Sequence, residues 1–102
     1  MLVYISGKIT GKEDYKDDFL TAECWLKLND YKVINPAKVA EVLPNLTYQQ
    51  FMAIDYKLIE LCDAIFMLDG WQKSKGAVAE LGYAKSLGKK VMYQDKYKDF
   101  RK

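Results

Sequence analysis

The sequence contains no histidine, and this absence narrows the chemistry that the chain can perform. Histidine is the usual base of Ser-His-Asp and Cys-His sites, so nucleophilic catalysis of those kinds is excluded. The two cysteines, Cys24 and Cys62, stand alone in apolar helical patterns and form no C-x-x-C pair, which excludes a structural zinc site. Acid–base or nucleophilic work must therefore come from carboxylates, tyrosines, serines or lysines. We expect no metal and no redox cofactor.

The chain also lacks a charge imbalance and a long apolar run. Sixteen Lys and Arg residues against 14 Asp and Glu residues give a net charge of +2, which is too close to neutrality to indicate a nucleic-acid partner. The N-terminus is apolar for only five residues, too short for a signal sequence, and no run reaches membrane-spanning length. We therefore expect a cytoplasmic protein with no membrane partner.

Length and composition indicate one globular domain. The chain has 102 residues, of which 50% are hydrophobic and 29% are charged, as in an ordinary folded protein. A chain of this length buries roughly two-thirds of the surface that its unfolded form exposes, which is enough for one modest core. We expect a single domain over residues 1–102.

Four short apolar runs alternate with helical patterns. The runs "LVYI", "YKVI", "AIFML" and "KVMY" are typical of buried strands. The spacing of apolar residues predicts a helix from Glu13 to Asn29, a second one capped by Thr47 and Gln50, and a third one that begins near Gly76 or Ala77 and stops at Gly88. The segment "AKVAEVLPN" fits either a short helix or a loop. This alternation predicts an α/β fold, a three-layer Rossmann- or flavodoxin-like domain with a parallel sheet of four or five strands.

The loops that follow the first three strands open on one edge of the predicted sheet. They are residues 6–12, 35–36 and 69–76. Ligands bind beyond the carboxyl ends of parallel strands, so we expect the site at this edge. Backbone amides near Gly7, or near Ser74 and Gly76, are suited to an anion, although each segment also fits a plain turn between a strand and a helix.

Glu80 is the first candidate for chemistry. Its neighbours in "GAVAELGYA" are small and apolar, and a buried acid without a basic partner is costly. At the third or fourth position of the predicted helix, the dipole favours an acid by about 0.3–1 kcal/mol, so a structural role or a pairing with Lys73 or Lys85 stays open. If Glu80 faces a cleft and is held ionised by the dipole and backbone donors, it can attack an electron-poor sugar carbon.

Four further residues are candidates, each with a structural alternative. Asp55 adjoins the apolar face of its helix and is either a site acid or a boundary residue paired with a lysine. Tyr4 lies in a buried strand and contributes its hydroxyl to a pocket or its ring to the core. Trp71 suits a base-stacking surface or a loop contact. Asp69 ends the third strand, where acids commonly contact ligands, but it also suits a turn with the following glycine.

Together these residues resemble the nucleoside 2-deoxyribosyltransferase-like superfamily, and in particular its shorter members from phage and prophage genomes. The resemblance extends from "YISGKITG" through "VINPA" and "IDYKLIELCDAIFMLDGW" to "SKGAVAELGYAKSLGKKV". It depends most on the pattern G-x-x-x-E-[LIV]-G-x-A formed by Gly76, Glu80, Leu81, Gly82 and Ala84. The resemblance implies that Glu80 attacks C1′ of a 2′-deoxynucleoside and expels the base. Water or a second base then resolves the covalent intermediate.

The resemblance also implies roles for the other candidates. Asp55 matches an aspartate that contacts the sugar or assists proton transfer. Tyr4 matches the tyrosine of the superfamily's first strand, and the loop from Gly7 onward matches one that approaches the sugar or its phosphate. In the leading hypothesis, Tyr4 and Trp71 contact the base or form the pocket wall.

Ser74 indicates which substrate class to expect. The transferases carry an aspartate at this position, whereas the related deoxynucleoside 5′-monophosphate N-hydrolases carry a phosphate-binding serine. The resemblance therefore implies a 5′-monophosphate held by Ser74, Gly76 and Lys8, although those hydrolases have a serine where this chain has Lys8. On charge grounds a hydroxyl with amide donors suits a dianion better than a carboxylate does.

The leading hypothesis is an enzyme that cleaves or exchanges the N-glycosidic bond of a small-molecule deoxynucleoside or deoxynucleotide. The alternative is a catalytically inactive module that binds a nucleotide or an ADP-ribose-type ligand in the same pocket. A structural oligomer without a ligand is a third hypothesis. Members of the superfamily assemble so that a neighbouring subunit closes the pocket, which implies a homo-oligomer, a dimer or larger.

Overall fold

The structure is a computed structural model that describes residues 1–43 and 45–97. Its strands are β1 (Leu2–Ser6), β2 (Lys32–Ile34), β3 (Ala64–Met67) and β4 (Lys90–Tyr93). Its α-helices are α1 (Tyr15–Leu28), α2 (Pro36–Val42), α3 (Tyr48–Leu61) and α4 (Lys75–Ser86). Short 3₁₀ turns occupy Trp71–Lys73 and Gln94–Lys96. The last part of the predicted polar tail, residues 98–102, lies outside the described residues.

The four strands form one parallel sheet in the order β2-β1-β3-β4. This arrangement confirms the predicted α/β fold, and the described residues supply four of the four or five expected strands. The chain leaves β1 for β2 on one side and then returns to β3 on the other side. Strand order therefore reverses next to β1, and a crevice at the carboxyl ends of β1 and β3 is the favoured place for a ligand in such sheets.

Helices cover both faces of the sheet, because alternate residues of each strand point to opposite sides. On one face the helices α1 and α2 pack against a core that includes Val3, Ile5, Phe19, Leu26 and Phe66. On the other face α3 and α4 pack against a core that includes Tyr4, Ile59, Ile65, Met67 and Leu81. This is the expected three-layer arrangement. In the described part of the chain, no helix combines the length and apolar character needed to cross a bilayer.

Two predicted helix starts can be compared with the structure. The capping box at the start of α3 is confirmed: Thr47 Oγ1 accepts the N–H of Gln50 at 3.1 Å, and Gln50 Oε1 accepts the N–H of Thr47 at 2.8 Å. The ambiguous segment after β2 forms the helix α2. Its start is fixed by Asn35, whose side chain accepts the N–H of Ala37 at 3.0 Å, with Pro36 at the first helical position.

The start of α4 differs from the prediction. Ser74 is the N-cap, since its hydroxyl oxygen accepts the N–H of Ala77 at 3.1 Å, and the helix begins at Lys75. Glu80 is therefore the sixth helical residue, in the second turn. Its expected place at the third or fourth helical position is wrong by two or three positions, because the Ser74 cap starts the helix at Lys75, earlier than the sequence predicts.

Candidate active site

A cavity of about 160 Å³ opens at the carboxyl edge of the sheet. Gly7, Pro36 and Ser74 come from the segments that follow β1, β2 and β3, and all three line this cavity. Helices α3 and α4 supply most of the remaining wall. The cavity is lined by Tyr4, Gly7, Ile9, Thr10, Phe19, Pro36, Ala40, Tyr48, Phe51, Met52, Asp55, Ser74, Gly76, Ala77 and Glu80.

Glu80 lines the cavity and is only 6% exposed. The hydroxyl of Tyr4 donates to its Oε2 at 3.0 Å, and the hydroxyl of Ser6 donates to its Oε1 at 2.6 Å. Tyr4 and Ser6 are two residues apart on β1 and therefore point to the same face of the sheet. The carboxyl group of Asp55, on α3, also lines the cavity and lies close enough to Glu80 and Tyr4 to raise the pKa of both side chains. Three elements thus bring two carboxyl groups and two hydroxyl groups together.

Glu80 has no basic partner within the described residues. Neither Lys73 nor Lys85, the partners that the sequence left open, forms an ion pair with it. The helix dipole also contributes little, because its effect fades beyond the first turn. The expected stabilisation by the dipole and backbone donors is therefore wrong. Side-chain hydroxyls on the central strand surround the carboxyl group instead.

The surroundings of Glu80 favour its neutral form. Burial, followed by the nearby charge of Asp55, raises the pKa of Glu80 to about 8, against the opposing effect of the Ser6 and Tyr4 hydroxyls. Burial also raises the pKa of Asp55. Two carboxyl groups this close share their titration, so the pair retains one proton near neutral pH. A pair with one proton can supply both a nucleophilic oxygen and an acid.

The structure brings together six of the residues singled out in the sequence: Tyr4, Gly7, Asp55, Ser74, Gly76 and Glu80. Three others do not line the cavity. Lys8 lies between two lining residues of the loop after β1 but is not itself part of the cavity wall. The ring of Trp71 packs against the ring of Tyr93, with 6.0 Å between their centres.

The backbone of Asp69 makes a contact outside the cavity, with the segment after β4. Its backbone N–H donates to Oε1 of Gln94 at 2.8 Å, which ties the end of β3 to the segment after β4. Gly70, the next residue, has a φ of 85°, so the expected Asp-Gly turn is present. Asp69 therefore belongs to this turn and not to the wall of the cavity.

Gly7 is fixed by close packing. A Cβ atom at this position would lie 2.6 Å from Cδ1 of Leu68, which is closer than side-chain atoms approach. The absence of a side chain lets the end of β1 pass tightly over the end of β3. Gly7 therefore keeps the loop after β1 against the sheet, where it forms part of the cavity.

Several functional contacts were not found by sequence reasoning. The sequence predicts a loop at Ser6, but this residue ends β1 and is completely buried. The signal was present, since a polar residue two positions after a buried tyrosine shares its face and needs a partner. Tyr48 was also missed; it lines the cavity, and the Nζ atom of Lys75 lies 5.8 Å from the centre of its ring. Lys75 therefore places a positive charge beside the cavity.

Groups suited to a metal ion are not present in the described ranges: no three Cys, Asp or Glu side chains come together there. The chemistry offered around Glu80 is that of two carboxyl groups and the hydroxyls of Tyr4 and Ser6, in a cavity that also adjoins the N-terminus of α4.

The fold and this arrangement define the class of protein to which the chain can be compared. Residues 1–93 match the model of the family described as Domain of unknown function (DUF4406). Since the match extends over most of the sequence, the chain belongs to this family. Among curated proteins, none matches the sequence.

Three solved structures show the same fold. The 2-deoxyribosyltransferase of Bacillus psychrosaccharolyticus is 24% identical with a TM-score of 0.72, over 91% of this chain and 71% of that chain. The 2-deoxyribosyltransferase of Leishmania mexicana is 23% identical with a TM-score of 0.69, over 90% of this chain and 62% of that chain. The CMP N-glycosidase of Clostridium botulinum is 24% identical with a TM-score of 0.66, over 91% and 70%. These likenesses confirm the expected nucleoside 2-deoxyribosyltransferase-like fold.

Proposed function

We propose that this protein cleaves or exchanges the N-glycosidic bond of a 2′-deoxynucleoside 5′-monophosphate, with Glu80 as the nucleophile. The observation that carries this proposal is a buried glutamate that lines a cavity, accepts two hydroxyl hydrogen bonds, adjoins a second acid and lacks a basic partner in the described residues. A glutamate that served only stability would be expected to pair with a cation. The solved structures with this fold are named for base transfer or for N-glycosidase activity, which supports the same chemistry.

The reaction proceeds in two displacements. A carboxylate oxygen of Glu80 attacks C1′ as the bond from C1′ to the base nitrogen breaks, and the bonding electrons leave with the base. The proton held by the Asp55–Glu80 pair passes to the departing base. Water or a second base then attacks C1′ of the glutamyl ester and loses a proton to Asp55, which releases the Glu80 carboxylate. Positive charge that develops on the sugar stabilises ionised Glu80 at the moment when it is required.

The size of the cavity supports a ring-sized group as the buried part of the substrate. A cavity of about 150 Å³ in another protein binds benzene, so the 160 Å³ found here suits one sugar ring. Pockets for whole ligands usually measure roughly 300–1,000 Å³. The base and the phosphate therefore extend towards the mouth. A second copy of the chain would cover them, which favours a homo-oligomer; light scattering after size-exclusion chromatography measures this assembly.

The groups at the start of α4 are suited to bind the 5′-phosphate of the proposed substrate. Ser74 and Gly76 line the cavity, and the first backbone N–H groups of a helix lack partners within it and favour anions. The hydroxyl oxygen of Ser74 accepts a backbone N–H, which leaves its hydrogen to donate to a phosphate oxygen. Of the two lysines that the sequence offers near the phosphate, Lys8 and Lys75, Lys75 is better supported, because its Nζ lies 5.8 Å from the centre of the Tyr48 ring and Tyr48 lines the cavity.

Release of free base from the four 2′-deoxynucleoside 5′-monophosphates, followed by chromatography, tests the proposed function. We expect release from at least one of them, slower release from the matching nucleoside, and none from the Glu80→Gln variant. Absence of release from all four monophosphates and their nucleosides, with or without a second base as acceptor, would contradict the proposal.

The second candidate is a binding module without catalysis. It is favoured by one observation, the raised pKa of Glu80, which keeps this residue protonated and non-nucleophilic in the free protein. A nucleotide that raises the melting temperature without losing its base would identify a binder. The two candidates are thus separated by measuring base release and thermal shift on the same samples.

A further inference from the structure

Ser6 makes the shorter of the two hydroxyl contacts to Glu80. Its Oγ lies 2.6 Å from Oε1 of Glu80, whereas the hydroxyl of Tyr4 lies 3.0 Å from Oε2. Hydrogen bonds from a hydroxyl to an ionised carboxylate measure about 2.5–2.7 Å. The Ser6 contact is therefore the shorter hydroxyl bond to Glu80, and its length also suits the ionised form that a nucleophile requires.

The backbone that carries Ser6 is rigidly placed. Ser6 is the last residue of the central strand β1, it pairs with Met67 of β3, and its carbonyl oxygen accepts the N–H of Leu68 at 2.9 Å. None of its surface is exposed. A hydroxyl donor fixed in the sheet provides a constant reference point for a side chain that reaches it from α4.

A single donor would not fix the orientation of Glu80. The last torsion of a glutamate side chain, which rotates the carboxyl plane, has broad and shallow preferences. With only Tyr4 bound at Oε2, the other oxygen could swing about that contact. The second bond, from Ser6 to Oε1, defines the plane of the carboxylate. Since reacting atoms must meet within a narrow range of distance and angle, this plane decides whether an oxygen faces C1′.

We propose that Ser6 is a positioning residue, whose hydroxyl holds the carboxylate of Glu80 in the orientation from which it attacks the sugar. This inference rests on the proposed function. It assigns to Ser6 a role in the reaction and not in substrate binding, because every described contact of its hydroxyl is made to Glu80.

The Ser6→Ala variant tests this role through a split between kcat and KM. Loss of a hydrogen bond to a charged group should lower kcat about 10- to 100-fold. KM should change little, because Ser6 does not line the cavity. The exposed Ser86, whose hydroxyl donates to a backbone carbonyl at 2.6 Å, offers a matched control, and Ser86→Ala should keep the original kcat. A kcat for Ser6→Ala within about twofold of the original protein, or an effect on KM alone, would overturn the proposal.

Ser6→Cys separates the hydrogen bond from packing and serves also if Ser6→Ala does not fold. A thiol fills the same space but donates weakly, so its kcat should fall as that of the alanine variant does. Recovery of the original kcat in Ser6→Cys would show that Ser6 only fills volume, and would overturn the proposal.

A titration that does not depend on activity distinguishes failure of this inference from failure of the proposed function. The titratable groups coupled electrostatically to Glu80 are Tyr4 on β1 and Asp55 and Tyr56 on α3. With these unchanged, loss of the Ser6 donor should raise the pH at which Glu80 ionises, as followed by ¹³C NMR of its carboxyl carbon. An unchanged midpoint overturns the Ser6 proposal. A raised midpoint in a protein that releases no base would keep the Ser6 contact and reject the proposed function.

Discussion

In the described part of the chain, two glutamates are buried to the same degree but have opposite surroundings. Glu23 on α1 is 5% exposed and Glu80 on α4 is 6% exposed. Glu23 accepts hydrogen bonds from Lys27 at 2.7 Å, from Lys38 at 3.0 Å and from the side-chain amide of Asn35 at 3.0 Å. Glu80 accepts only from hydroxyl groups and adjoins a second acid.

These surroundings give the two acids opposite protonation. Burial raises the pKa of Glu23, but the hydrogen bonds from Lys27, Asn35 and Lys38 outweigh that effect and lower the pKa to about 2. Burial raises the pKa of Glu80, and the charge of Asp55 adds to the increase. The comparison teaches that depth of burial does not identify a functional acid. The identity of its partners does, because cations stabilise the charge that a reactive acid must be able to gain and lose.

The largest expected effect is on activity, which should fall much further when Glu80 is replaced than when Glu23 is replaced. Glu80→Gln should lower base release by at least about a thousandfold, on the order of 4 kcal/mol of barrier, because an amide does not form the covalent intermediate. Glu23→Gln should retain release within about tenfold, since Glu23 does not line the cavity. Rates measured by chromatography under saturating substrate check both values. Equal losses in the two variants would show that Glu80, like Glu23, serves only stability.

The effects on stability should have the opposite order: Glu23→Gln should destabilise the protein, and Glu80→Gln should not. Glu23→Gln removes the charge that accepts from Lys27 and Lys38, whose side chains are more than half exposed, and should lower the free energy of unfolding by about 1–2 kcal/mol. Glu80→Gln removes an acid that is ionised in the unfolded chain and must take up a proton on folding near neutral pH, so its free energy of unfolding should be unchanged or higher. Urea unfolding near neutral pH measures both. A larger loss of stability in Glu80→Gln would contradict the assigned partners.

The sequence predicted the architecture because strands and helices follow local patterns. Runs such as "LVYI" and "AIFML", and the capping box of Thr47 and Gln50, depend on residues close together in the chain. Glu80 was identified from its small apolar neighbours, which is also local information. The cap at Ser74 was missed by one or two residues, which is the usual uncertainty of a helix boundary.

The partners of the site depend on distant contacts that local patterns do not contain. Ser6 and Tyr4 lie 74 and 76 residues from Glu80 in sequence, and only the packing of α4 on β1 brings them together. The directions of loop side chains are likewise set by tertiary contacts. Trp71 faces Tyr93, and Lys8 does not line the cavity, for reasons that no spacing in the sequence reveals.

The pH dependence of stability should have opposite signs for the two acids. The pKa of Glu80 is higher in the folded state than in the unfolded state, so the folded state binds the proton of Glu80 more tightly. Glu80 therefore contributes a stabilisation at low pH that is lost as pH rises from about 4.3 to about 8. The pKa of Glu23 is lower in the folded state than in the unfolded state. The stabilisation that Glu23 gives the protein is therefore present above about pH 4.3 and is lost as pH falls towards 2.

Unfolding of the original protein and Glu80→Gln at about pH 5 and about pH 8.5 measures the first of these effects. The glutamine variant should gain at least about 1 kcal/mol relative to the original protein between the two pH values. Groups remote from Glu80 titrate equally in both proteins and cancel in this difference, which therefore reports the titration of the Asp55–Glu80 pair. A constant difference between the two proteins would show that Glu80 ionises at the same pH in the folded and unfolded chain.

The smallest expected effect is a lower pKa of Glu80 in the Asp55→Asn variant, which brings the pKa of Glu80 closer to that of Glu23. Asp55→Asn keeps the shape of the side chain but removes the negative charge beside Glu80, and an amide can donate to the carboxylate. The pH at which Glu80 ionises, followed by ¹³C NMR, should therefore fall by roughly one unit or more. Base release should also fall, since the proton that the acid pair supplies to the departing base is no longer held there. If the midpoint of Glu80 stays unchanged in Asp55→Asn, burial alone sets its protonation, and the second acid is not the feature that distinguishes the two buried glutamates.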